Sequence, residues 1–141
     1  MDSKNSLTRF LDAQAANYQD ALSEIKSGRK RTHWMWYVFP QIQGLGLSET
    51  ARFYAIKDLR EAEAYAQHPV LGQRLVDISA ALLALQSNDA HAILGSPDDM
   101  KLQSSMTLFA SLPGAPAVFR QVLDKFYSGK QDEKTLRIIA G

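Results

Sequence analysis

Two stretches of the 141-residue chain gather side chains that could do chemistry. The first, His33 to Ser48, reads HWMWYVFPQIQGLGLS and follows a basic run of Lys26, Arg29, Lys30 and Arg31. Trp34 and Trp36 present indoles able to stack on a flat ring, Lys30 offers a cation to an anion, and His33 could take or give a proton. The second stretch, Gly95 to Phe109, reads GSPDDMKLQSSMTLF. Helical spacing would put Asp98, Lys101, Ser104 and Ser105 on one polar face, with a stripe of Leu102, Met106 and Phe109 opposite. Ser104, Ser105 and Thr107 are poor helix formers in mid-element. Such residues are tolerated where small side chains face a ligand or a tightly packed neighbour. Combined, these parts suit a small phosphorylated or nucleotide-like molecule: Trp34 or Trp36 against a ring, Lys30 and Lys101 on phosphate, His33 or Asp99 on a proton. Each part also has a structural reading: rings filling a core, a histidine bonded to a carbonyl, a solvated basic loop, an amphipathic helix with capping acids.

The elements that would position these residues are helical. Leu7, Phe10, Leu11 and Gln14 form a first short stripe with Ser6 as N-cap, and Tyr18, Leu22 and Ile25 form the next, closed by Gly28. Asp58 and Glu61 fit a capping box, Pro69 suits a first helical position, and Leu71, Leu75, Ile78, Leu82 and Leu85 make a long stripe. Ser96-Pro97-Asp98-Asp99 reads as cap, first-turn proline and two acids where the helix dipole favours them. Val118, Phe119, Val122, Leu123 and Phe126 mark another helix, ended by Gly129, and Leu136 with Ile139 a last short one. WMWYVF has the composition of a strand, but its helical neighbours favour a short helix. The fold class that follows is all-α: a compact single-domain multi-helix bundle over residues 1–141, with its core at about 7–139.

Composition removes several classes of function. The chain has no cysteine, so thiolate chemistry and disulfides are excluded. His33, His68 and His91 lack metal-ligand spacing, and neither a metal nor a cofactor is expected. His68 precedes Pro69 and marks a helix break. Gly44-Leu45-Gly46 before Ser48 lacks the Lys-Ser/Thr ending of a P-loop and the third glycine of a dinucleotide fingerprint; it reads as a turn before a helix capped by Ser48. A formal net charge of +1 gives little pull toward nucleic acid or anionic lipid. No apolar run reaches the roughly 20 residues of a membrane span, and MDSKNSLTRF has no signal-peptide pattern, so a cytoplasmic location is expected.

The blocks HWMWYVFPQIQGLGLS, YAI, EAEAY, HPVLGQRL, GSPDDMKLQSSMTLF and DEKTLRII, in that order, resemble a bacterial family, domain of unknown function 1810. The resemblance runs from about Leu7 to Ile139. It implies a compact, mostly helical, single-domain cytoplasmic protein and assigns no reaction. Members are sometimes labelled calpastatin; calpastatin is a long disordered calpain inhibitor, whereas this composition is that of a folded domain. The matching positions offer Lys30, His33, Trp34, Trp36, Gln41, Tyr54, Asp99, Lys101, Ser104 and Ser105 as candidate pocket residues. Three kinds of function follow. One is a site for a small anionic or nucleotide-like ligand, with or without catalysis. The second is a protein-interaction module such as a toxin–antitoxin or phage-defence accessory, and the third, disfavoured by charge, is nucleic-acid binding. Oligomeric state is not readable. What separates the first two is whether the 30–41 and 98–105 segments meet around one concavity.

Overall fold

The computed structural model describes residues 3–141, with side chains from residue 7 onward. The described chain is all-α: α1 (Ser3–Lys26), α2 (Met35–Val38), α3 (Glu49–Phe53), α4 (Leu59–Gln67), α5 (Leu71–Leu83), α6 (Ala90–Leu94), α7 (Asp98–Ala110), α8 (Ala117–Tyr127) and α9 (Glu133–Ala140). No strand forms among the described residues; one isolated parallel bridge joins Ile42 to Ile56.

The two stripes expected near the N-terminus are one 24-residue helix. Leu7, Phe10, Gln14, Tyr18, Ala21 and Ile25 are all buried, a continuous run of three- and four-residue steps with no Gly or Pro to interrupt it. Ser6 therefore lies inside α1 rather than at its cap, while Gly28 closes the helix at φ +87 as a left-handed glycine. Leu71, Leu75, Ile78 and Leu82 of α5 are buried as their spacing predicts. Burying each such side chain contributes roughly 1.5–3 kcal/mol. Gly72 lets α5 turn tightly back against α4: a Cβ there would lie 2.1 Å from the Ala66 carbonyl oxygen.

Several helix starts differ from the sequence expectation by one or two residues. Pro97 occupies the cap position of α7 rather than its first turn, although Asp98 and Asp99 do occupy that turn. Pro69 sits in a turn ahead of α5, and the Nδ1 of His68 accepts from the backbone N–H groups of Val70 and Leu71, so this histidine ties down the turn that leads into the helix. Asp58 accepts from the Glu61 N–H as expected. Glu61 instead accepts from the Lys57 N–H and from the Arg9 guanidinium, so only half of the capping box is formed. α6 was not legible as a helix: five residues capped by Asp89 are too few to show a period.

α7 is the central element. It packs against α8, α9, α6 and α4, and α8 lies between α7 and α5. Leu102 and the whole run from Ser104 to Phe109 are buried. The small polar residues in its middle are thus largely enclosed by the fold. Ser104 Oγ donates to the Met100 carbonyl and Thr107 Oγ1 to that of Gln103, satisfying both hydroxyls inside their own helix. Thr107 Oγ1 also accepts from the Asp132 N–H at 2.8 Å, which fixes the start of α9 against α7. No helix among the described residues is long and apolar enough to cross a membrane.

Candidate functional site

The loop between α1 and α2 is organised by one carboxylate. Glu24 Oε1 accepts from the N–H groups of Arg31 and Thr32 and from Trp34 Nε1, and Oε2 accepts from Thr32 Oγ1. Desolvation pushes this carboxyl up, but the four hydrogen bonds outweigh it and hold the group at about 2. Trp34 is 0% exposed and tilts against Phe39 in the core. With its N–H taken by Glu24 and its rings enclosed, it has no face left for a guest.

Trp36 lies two residues on, inside α2. It is partly exposed and lines an open groove of about 390 Å³. One wall of this groove is Trp36 and Gln41 with the turn Leu45, Gly46, Leu47 and Ser48. The other wall is Pro97 with Met100, Lys101 and Ser104 of α7, and Asp132 and Lys134 complete the lining. The 30–41 and 98–105 segments therefore meet around one concavity. Their contact is direct: Lys101 Nζ sits 4.3 Å from the centre of the Trp36 ring.

Asp98 joins the two segments a second time. Its Oδ2 lies 2.9 Å from Lys30 Nζ and its Oδ1 3.5 Å from Lys101 Nζ. The Lys30 side chain is only 8% exposed; its ammonium also donates to the Thr32 carbonyl and lies 5.1 Å from the Trp34 ring centre. Its backbone N–H donates to Ile93 of α6. Lys30 is thus a buried strut between loop and α7, and Lys101 is the cation that reaches the groove.

The remaining sequence candidates divide by location. Gln41 and Ser104 line the groove, Gln41 also giving its carbonyl to the Ile56 N–H. Tyr54 borders a small pocket shared with Trp36 and Gln41, where its ring packs 5.1 Å from that of Tyr37 and 4.8 Å from that of Phe53. It supports the groove wall from behind. Ser105 is fully buried, and its hydroxyl has no hydrogen-bond partner. His33 is exposed and outside the groove lining; its carbonyl accepts from the Tyr37 hydroxyl at 3.3 Å. Asp99 is also outside it, 3.5 Å from His91 Nδ1, with its carbonyl accepting from the Tyr127 hydroxyl. The two residues expected to move protons are therefore not those that face the cavity. Burial pushes the Tyr127 hydroxyl up, reinforced by the Asp99 charge, and keeps it a neutral donor.

Sequence reasoning missed Asp132, Lys134, Leu47 and Met100. Only Asp132 had a local signal: it precedes Thr135 by three and accepts from that residue's N–H and hydroxyl as the cap of α9. Among the described residues no group of His, Asp and Glu is arranged to hold a metal ion.

A family model described as a protein of unknown function, DUF1810, matches residues 4–139. Among solved structures, the crystal structure of the conserved hypothetical protein Rv1873 from Mycobacterium tuberculosis is 46% identical. The match covers 96% of each chain with a TM-score of 0.93. No curated protein matches. A match over nearly the whole chain, in sequence and in fold, settles kinship: the chain belongs to the DUF1810 family.

Proposed function

We propose that the groove between Trp36 and α7 binds a small anionic, ring-bearing molecule such as a nucleotide or phosphosugar. The observation that carries this reading is the seating of Lys101 over Trp36 inside an open cavity. The ammonium offers an attachment for an anion, and the part of the indole that Lys101 leaves uncovered offers one for a flat or sugar ring. Lys134 adds a second cation to the lining. A volume of about 390 Å³ falls in the range of small-ligand sites. Binding is favoured over catalysis because no histidine lines the groove and its one carboxylate, Asp132, is engaged as a helix cap. A cytoplasmic setting is part of this proposal.

The test is a thermal-shift screen with nucleotides and phosphosugars. A ligand at about 100 times its Kd raises stability by about 2.7 kcal/mol, a shift of roughly 5–10 °C in a chain of this size. Trp36→Ala and Lys101→Met should lose the shift, and His33→Ala should keep it. If no compound stabilises the wild type, or if both groove variants respond like it, the proposal fails.

A second reading rests on the lips of the same groove. Leu47 is 79% and Met100 63% exposed, large apolar side chains that a protein partner would cover. On this reading a Leu47→Ser, Met100→Ser variant loses a stoichiometric partner recovered from the host while its melting temperature holds. Equal recovery by variant and wild type would dismiss it.

A further inference from the structure

The charges around the groove are nearly balanced. Lys101 is shared with Asp98 at 3.5 Å, and Lys30 is held by the other oxygen of the same carboxylate at 2.9 Å. Lys134 lines the groove with Asp132, whose Oδ2 already accepts from the Thr135 N–H and hydroxyl. Lys101 and Lys134 thus line the groove with one carboxylate, Asp132, while Asp98 and Lys30 stand behind Lys101 as a pair, so the lining carries one net positive charge. No arginine lines the groove. Arginine forks, a common means of holding polyphosphates, are missing from this lining. Each added phosphate on Lys101 would also bring negative charge toward Asp98, whose carboxylate lies 2.9 Å from its nearly buried partner Lys30.

We infer that Asp98 is a specificity-determining residue that restricts the groove to singly phosphorylated ring-bearing molecules, nucleoside monophosphates among them, and discriminates against di- and triphosphates. The inference rests on the ligand-binding reading above. One carboxylate does two things here: it positions Lys101 over Trp36, and it repels a second phosphate that Lys101 alone would accept. An extra unit charge some 6 Å from a carboxylate in a partly wet groove changes affinity by about three- to tenfold.

Isothermal titration of the wild type with AMP, UMP, ADP, UDP, adenosine and inorganic phosphate reads this directly. The monophosphates should bind about three- to tenfold more tightly than the diphosphates, and the gap should close in Asp98→Asn. Because that variant leaves Lys30 nearly buried without its partner, the Lys30→Met, Asp98→Asn double variant serves as a second reading and should close the gap equally. Diphosphates that bind the wild type as tightly as monophosphates, or a gap unchanged in both variants, would overturn the role of Asp98 and leave the groove as an anion site. No binding by any of the six probes would overturn both.

Discussion

Trp34 is the cap residue just ahead of α2 and Trp36 lies inside it, and across this step the chain sends Trp34 into the core and Trp36 into the groove. Substitutions at the two indoles should therefore separate cleanly. Trp34→Phe removes the hydrogen bond to Glu24 and leaves a void. It should cost about 1–3 kcal/mol in urea unfolding, whereas Trp36→Phe should cost less than about 1 kcal/mol. Ser105 makes the opposite case. A fully buried hydroxyl without a partner carries a desolvation cost, and Ala is the better helix former, so Ser105→Ala should raise stability by about 1 kcal/mol. A fall of that size would mean that the hydroxyl has a partner in solution. In the sequence Ser104 and Ser105 are alike, and both stand as candidates to face a ligand or a tightly packed neighbour. A small polar side chain has the same appearance in a one-letter string whether it meets water, a guest or the next helix.

At the scale of elements, the hold of α1 on α2 depends on an ionised Glu24. Its carboxyl is lowered in the folded protein, so its contribution is complete above the unfolded value near 4.5 and fades as pH falls through about 2. Acid unfolding followed between pH 5 and 2 should show this loss in the wild type, and Glu24→Gln should be less stable at neutral pH with a flatter acid limb; parallel curves would contradict it. α4 and α5 meet at Gly72, where Ala would bring its methyl to 2.1 Å from a backbone oxygen. Gly72→Ala should cost about 2–3 kcal/mol despite the better helix propensity of alanine. Helices of this kind were legible wherever an apolar stripe ran for two turns or more, as in α1, α5 and α8. The unity of α1 escaped because its buried face passes through the polar Gln14, where the first stripe was ended, although the Gln14 amide is satisfied inside by the Tyr37 carbonyl and the Tyr65 hydroxyl. Which helices would meet was not legible at all. The Lys30–Asp98 pair joins residues far apart in the chain, and no local pattern announces it.

Across the whole molecule, order is uneven. α7 is enclosed by four helices, whereas α3 buries none of its residues and the segment around it is tied mainly at its ends. Ile42 and Ile56 pair at the base, and Arg9 donates to the carbonyls of Phe53 and Ala55. Amide exchange should therefore be fast at residues 46–52 and slow along α7, and a bound ligand should protect the former selectively. Equal protection of both segments in the free protein would contradict this picture. The groove thus lies between the enclosed α7 and the sparsely buried α3 segment, and the two indoles of the chain sample the interior and the groove. Each can be read in isolation by ultraviolet emission. With Trp34 replaced by Phe, the remaining fluorophore should be quenched or shifted when a guest arrives; with Trp36 replaced, the signal should stay blue and silent until the protein unfolds.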